Sequence, residues 1–266
     1  MRRRRIDAKK FIRFLFILAL AVALTVAVVS SLAGMAAKTL KIGLYETSRP
    51  LTYTDERKNV YGFEAEYAKL LAERLGKKPE IKLYAQEGLA DALDGGAIDC
   101  AVSVRQSVHD YIANAYETAP FISYGIVFVI SPDDETFAGE EDVRGKRAGL
   151  IANSEAERLC EELMSGYSFN CRYYDHEVQP FQDLKLKKND FVIADELFAR
   201  YMQVEDPKSY LVLDTVYYMA DFGVRLSKKL SQSAIDDMED AVYALRSDVA
   251  AKDLFVRYFG ADLGYQ

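Results

Sequence analysis

The pattern of apolar and polar positions divides the chain into one continuous apolar segment and two runs of short elements. Residues 14–37 contain no charged residue, and residues 1–13 before them carry seven Lys/Arg and one Asp. At ~1.5 Å rise per residue, such an apolar run is long enough to cross a bilayer as a helix. The basic flank is typical of a cytoplasmic end, so we expect everything after it to be exported. Residues 1–37 are therefore a signal peptide or an uncleaved membrane anchor, and the sequence leaves both open.

The first run of elements after this leader alternates strands with helices. Short apolar segments predict the strands, and amphipathic spacing before a glycine predicts the helices. The predicted strands are 38–45, 81–84, 98–104 and 125–130, and the predicted helices are 62–75 and 89–93.

A polar, acidic segment follows, and then the same order of elements begins again. The predicted strands are 148–151, 169–174 and 190–194, and the predicted helices are 154–164, 181–186, 196–202, 231–246 and 249–258. A β-α-β-α-β order written twice predicts an α/β fold of two lobes with largely parallel sheets.

The last two predicted helices have no third sheet to cover, so we expect them to pack on the first lobe. This assigns residues 38–130 plus 220–266 to lobe 1 and residues 131–219 to lobe 2. The chain then crosses between lobes twice, near Ile130 and near residues 217–223.

Charge and cysteine content narrow the classes of function. The leader contributes +6 to the chain's net charge of −7, so the remainder carries −13, which argues against a nucleic-acid partner. Cys160 and Cys171 lie eleven residues apart and can pair in an exported protein, or stay reduced, whereas Cys100 lies in an apolar strand. The two histidines are far apart, and no glycine-rich phosphate loop occurs. We therefore expect no metal and no cofactor.

Several segments, in order, resemble one protein family. They are LKIGL with RPLTY, the helix start VYGFEAEYAKLLAERLGKK, LADALDGGAIDCAVSV, the pair Pro120-Phe121, DVRGKRAGL, LKLKKNDFVIADE and the ending from DFGVRLSKKL to DLFVRYFG. Together they resemble bacterial extracellular solute-binding proteins of the polar amino-acid family, family 3. The resemblance implies a two-lobed periplasmic-binding-protein clamshell that is monomeric. It also implies that the protein is not an enzyme, and that it captures a small polar solute outside the cytoplasm for an ABC permease in the inner membrane.

The resemblance also nominates ligand-binding residues. Asp195 ends a predicted strand where the family keeps an Asp for the ligand's ammonium group, and it can equally be a helix N-cap. Ser154 falls where the family has a Thr that donates to the ligand's carboxylate, and it too can be a plain N-cap.

The family's carboxylate-binding Arg is replaced in this chain by Tyr111, a candidate ligand-binding residue that can donate one hydrogen bond but carries no charge. Arg105 follows a strand and can supply a guanidinium instead, or it is a surface Arg on a loop. Gln106 beside it and the aromatic Tyr45 complete the set of candidate ligand-binding residues.

Two other classes of function are considered. A membrane-tethered sensor or partner-binding module with a degenerate site would use the same fold with an uncleaved anchor. Some relatives of this fold are dehydratases, but no acid–base pair is evident in the sequence.

Overall fold

The structure is a computed structural model, and it describes residues 39–105, 112 and 115–265. The predicted leader, Gln106 and Tyr111 lie outside the described residues. Within the described ranges, no helix has the length and apolar character needed to cross a membrane.

Two five-stranded sheets form the framework of the described residues. The strands are β1 Thr39–Tyr45, β2 Tyr53–Thr54, β3 Val60–Tyr61, β4 Lys78–Tyr84, β5 Cys100–Val102, β6 Tyr116–Glu117, β7 Ile122–Ile130, β8 Arg147–Ile151, β9 Asn170–Tyr174, β10 Phe191–Asp195, β11 Leu211–Phe222 and β12 Arg225–Leu226. The α-helices are α1 Phe63–Arg74, α2 Gln86–Gly95, α3 Glu155–Met164, α4 Val178–Lys185, α5 Glu196–Glu205, α6 Gln232–Leu245 and α7 Val249–Phe259.

The first sheet has the strand order β4-β1-β5-β12-β6. β1 pairs in parallel with β4 and β5, which places Ile42 beside Ile81 on one side and Cys100 on the other. β12 extends the sheet through antiparallel pairing with β5, and β6 pairs antiparallel with β12. The predicted parallel core is present, and the two antiparallel strands are too short for an apolar pattern to reveal them.

The second sheet has the order β11-β7-β10-β8-β9. β8 is parallel to β9 and β10, whereas β7 and β11 are antiparallel additions. β11 was not predicted as a strand, although LVL and VYYMA within it are apolar, because residues 217–223 were assigned to the second crossing between lobes. β7 forms its backbone hydrogen bonds in the second sheet although lobe 1 was expected to run to residue 130. The lobe limits themselves stay a prediction.

Helices cover both sheets and form separate apolar cores. Phe63 of α1, Val102 of β5 and Phe255 of α7 belong to the main core of the first sheet, and α6 packs there as well. The last two helices thus pack on elements of the first sheet, and the assignment of residues 220–266 to lobe 1 stays a prediction. In the second sheet, Phe191 lies among three aromatic rings with centroids 5.0–5.9 Å away, those of Phe128, Phe137 and Phe169.

β7 and β11 run side by side from one core to the other. Tyr124 belongs to the first core and Ile126 to the second, so the change of core falls at Gly125. A Cβ at Gly125 would lie 2.2 Å from the Tyr217 carbonyl oxygen, so the two strands approach too closely here for a larger residue. β11 shifts its register opposite Gly125, between Tyr217 and Ala220, and again between Val212 and Val216.

Of the two alternatives for Cys160 and Cys171, the structure shows the paired one, a disulfide. It joins α3 to β9, the strand that follows it. Cys100 is buried in β5, as expected for a small apolar residue in a strand.

Candidate functional site

A cavity of about 470 Å³ lies between the two sheets. Arg105 enters it after β5, Ser154 after β8 and Asp195 at the end of β10. All three strands belong to the parallel parts of their sheets, and the carboxyl ends of parallel strands are where open α/β sheets bind ligands. The size is that of a small-molecule pocket.

The position of Asp195 suits both of the roles considered for it. Its Oδ1 accepts hydrogen bonds from the backbone N–H groups of Leu197 at 2.9 Å and Phe198 at 3.2 Å, so it is the N-cap of α5. The carboxylate also lines the cavity. Both bonds from described residues fall on Oδ1, which leaves Oδ2 available for a cationic ligand group.

Burial raises the pKa of Asp195 to about 6. The N–H of Phe198 and the positive charge of Arg105 act in the opposite direction, but they do not offset the loss of hydration. The carboxyl group is therefore mostly ionised at neutral pH and becomes protonated in mild acid.

Arg105 supplies the positive charge opposite Asp195. Its NH2 atom lies 3.5 Å from Oε1 of Glu177, and among the described residues its buried Nε has no hydrogen-bond partner. Burial would lower the pKa of Arg105, but attraction by Glu177 and then by Asp195 raises it above its ordinary value. The guanidinium is thus held between two carboxylates, one of them the candidate ammonium ligand.

The backbone before Arg105 is fixed by a buried polar group that the sequence analysis missed. Oε1 of the fully buried Glu64 accepts the N–H of Val104 at 2.9 Å, and its Oε2 accepts the Thr52 hydroxyl. The Tyr124 hydroxyl donates to the carbonyl of Val104. Burial raises the pKa of Glu64. The signal in the sequence was a carboxylate on the otherwise apolar face of α1.

Ser154 is the N-cap of α3. Its Oγ accepts the N–H of Glu157 at 3.4 Å and donates to the carbonyl of Ile151 at 2.6 Å. The spacing of Ser154 and Glu157 is that of a capping box, but the box is only half formed, because the Glu157 carboxylate accepts the N–H of Asn153 instead of that of Ser154. The side chain of Ser154 borders the cavity while it is engaged with its own turn.

Tyr45 does not line the cavity. It packs with Tyr84 against the apolar cluster under α2, on the same face of β1 as Gly43. Side chains alternate along a strand, and Leu44 occupies the other face, in the main core. The remaining candidates, Gln106 and Tyr111, fall outside the described residues.

The cavity contains charged residues that sequence reasoning missed. Arg158 forms an ion pair with Glu155 at 2.6 Å, and its guanidinium carbon lies 3.6 Å from the ring centroid of Tyr218. The Tyr218 hydroxyl donates to Glu162. Arg158 lies four residues after Ser154, one helical turn into α3, which is the spacing that would have pointed to it.

The rest of the wall is largely apolar. Phe181, Phe198 and Phe222 contribute aromatic surface to it, together with Ile126. Within the described ranges, no three His, Cys, Asp or Glu side chains are placed to hold a metal ion. The arrangement thus offers separate positive and negative groups within an apolar enclosure.

Comparison with known proteins identifies the family. The chain is 25% identical over 227 residues to the L-cystine-binding protein TcyJ of Escherichia coli (strain K12), covering 85% of this chain and 84% of that protein. It is 24% identical over 255 residues to the L-arginine-binding protein of Pseudomonas aeruginosa, covering 92% and 97%.

The fold matches as well. The crystal structure of the L-cystine solute receptor of Neisseria gonorrhoeae, in its unliganded open conformation, aligns with a TM-score of 0.72 at 20% identity over 87% of this chain and 96% of that one. Together with the two-sheet architecture, this establishes the two-lobed periplasmic-binding-protein fold. A family model matches residues 40–261, and the chain belongs to the bacterial extracellular solute-binding proteins, family 3.

Proposed function

We propose that the chain captures a small amino acid, or a closely related polar solute, in the cavity between its sheets and delivers it to the permease of an ABC importer. One observation carries this proposal: Arg105 and Asp195, of opposite charge, project from strand ends into one cavity. An α-amino acid carries the complementary pair, a carboxylate for Arg105 and an ammonium group for Asp195. The likeness to amino-acid receptors supports this role over that of a membrane-tethered sensor.

In this proposal Oδ2 of Asp195 accepts the ammonium group of the solute. Arg105 pairs with its carboxylate, in place of the Arg that the family usually carries where this chain has Tyr111. A guanidinium suits a carboxylate because it can donate two parallel N–H bonds. An unpaired carboxylate enclosed without water would be costly, so some positive partner is required.

The rest of the solute packs against the aromatic wall. The lobes, 38–130 plus 220–266 and 131–219, close on it by bending where β7 and β11 pass between the cores, near Gly125. Binding involves no covalent step, so the protein acts as a carrier and not as an enzyme. In this proposal it does so as a monomer. Residues 1–37 export it and either are cleaved or remain as an anchor in the membrane.

Thermal-shift screening against amino acids, peptides, organic acids and polyamines tests the proposal. A solute at about 100 times its Kd stabilises a one-site protein by about 2.7 kcal/mol. We expect an amino acid to raise the Tm and the Arg105→Ala variant to bind it at least about tenfold more weakly, equivalent to about 1.4 kcal/mol. Binding that survives Arg105→Ala unchanged would show that backbone N–H groups hold the carboxylate unaided. If no amino acid binds, the proposed ligand class is wrong.

A further inference from the structure

Glu177 connects the two sides of the cavity. It precedes α4 on the side of the second sheet, and its carboxylate reaches residues that follow strands of the first. Oε1 lies 3.5 Å from NH2 of Arg105, and Oε2 lies 3.5 Å from the hydroxyl of Ser48. A carboxylate of the protein thus pairs with the Arg105 guanidinium, the group to which the carboxylate of the solute binds in the proposed function.

This internal contact is loose. Charge-assisted N–H to carboxylate bonds are ordinarily about 2.7–2.9 Å long, well below the 3.5 Å found here. The side chains of Arg105 and Glu177 are 34% and 37% exposed, so water weakens their attraction. The buried Nε of Arg105 has no partner among the described residues. A solute carboxylate that accepts hydrogen bonds from both Nε and NH2 would satisfy Arg105 better than Glu177 does.

Displacing Glu177 has a consequence for charge. Among the described residues that line the cavity, the other cation is Arg158, which already pairs with Glu155 at 2.6 Å. A released Glu177 therefore faces the cavity as a second carboxylate beside Asp195. A neutral amino acid offers one ammonium group for these two carboxylates, whereas an amino acid with a cationic side chain offers two positive groups.

We infer that Glu177 is a specificity-determining residue: it competes with the solute's carboxylate for Arg105 and, once displaced, favours solutes that carry a second positive group. This inference rests on the proposed function, because it assumes that the solute's carboxylate binds Arg105. It adds the residue that selects among amino acids.

The pair L-arginine and L-citrulline tests the selection, since the two have nearly the same shape and differ in side-chain charge. Calorimetry uses the full chain, purified from the cell fraction that carries it, as wild type and as Glu177→Gln. In Glu177→Gln, citrulline should bind at least about tenfold more tightly and arginine with about unchanged affinity, so the preference for arginine should fall by at least about tenfold. The matched control is Glu161→Gln on the exposed side of α3, which should leave both affinities unchanged.

A preference for arginine that stays the same in Glu177→Gln, or citrulline binding that weakens, would overturn the inference and leave the proposed function standing. If neither solute binds the wild type or the variant, the selection fails together with the proposed ligand class.

Competition for Arg105 is then decided separately with acetate as the probe, followed through the NMR signal of the Arg105 Nε–H, assigned by its loss in Arg105→Lys. The half-saturating acetate concentration should fall at least about threefold in Glu177→Gln, and an unchanged concentration would show that Glu177 does not compete.

Discussion

Asp195→Asn separates the two roles of this residue. As the N-cap of α5, Asp195 accepts two backbone N–H bonds through Oδ1. Asn caps helices about as well as Asp, so this role should survive the substitution. As the proposed ammonium ligand, however, Asp195 needs its negative charge. The variant therefore removes the charge from the cavity while keeping the helix start intact.

The expected loss in affinity follows from the type of bond. A hydrogen bond to a charged group contributes about 1.5–3 kcal/mol, which corresponds to about a 10- to 150-fold rise in Kd. Asp195→Ala should lose the cap as well, about 1 kcal/mol of folding stability. Calorimetry for binding and urea unfolding for stability measure the two effects on the same samples.

The pH dependence adds a second, independent check. The pKa of Asp195 in the folded chain is raised to about 6, above its ordinary value of 3.8. Between these values the folded state binds more protons than the unfolded state. The charged Asp195 therefore lowers the free energy of unfolding at neutral pH, and this loss of stability disappears as the pH falls through 6 toward 4. Without ligand, Asp195→Asn should thus be at least as stable as wild type at pH 7, and the difference should shrink toward pH 4. Affinity for an ammonium ligand should decline below pH 6.

Three outcomes would refute this reasoning. Unchanged affinity in Asp195→Asn would remove Asp195 from the binding site. Lower stability of Asp195→Asn than of wild type at pH 7 would mean that the charge is needed at the helix start. A stability difference that does not change between pH 7 and pH 4 would mean that Asp195 does not titrate in that range.

Further predictions concern the framework. Gly125→Ala should destabilise the fold by about 1–3 kcal/mol in urea unfolding, because its Cβ would lie 2.2 Å from the Tyr217 carbonyl oxygen. The control Gly139→Ala, with open space around it, should be neutral. Equal effects of the two substitutions would contradict the close approach of β7 and β11. Phe191→Ala should cost about 3–5 kcal/mol, since it leaves a cavity among three aromatic rings, and a loss below 1 kcal/mol would show that this core collapses around it. Residues 38–266 should fold as a soluble monomer by light scattering, and insoluble material would show that the leader is needed for folding.

The local elements of this protein were largely predictable from its sequence, because apolar periodicity and turn residues report on nearest neighbours along the chain. Helix α3 shows the limit of such signals. Its start at Ser154 was predicted correctly, but the carboxylate of Glu157 bonds Asn153, one residue away from the expected partner. Whether Ser154 or Asp195 caps a helix is also a local question: the sequence offered the N-cap as one alternative for each, and the structure shows both caps.

Only the tertiary structure decided the contacts between segments that lie far apart in sequence. β11 is held by its pairing with β7, and its place in the second sheet depends on that contact with a strand about 90 residues earlier in the chain. Side chains of β1 alternate between two faces, and the face with Leu44 covers the main core. Tyr45 is therefore on the other face, toward α2 and outside the cavity. Glu177 reaches Arg105 across 72 residues of sequence, and no periodicity encodes a contact of that kind. The sequence alone determined the elements and the family they resemble, while the charges that meet in the cavity were decided by how the two sheets face each other.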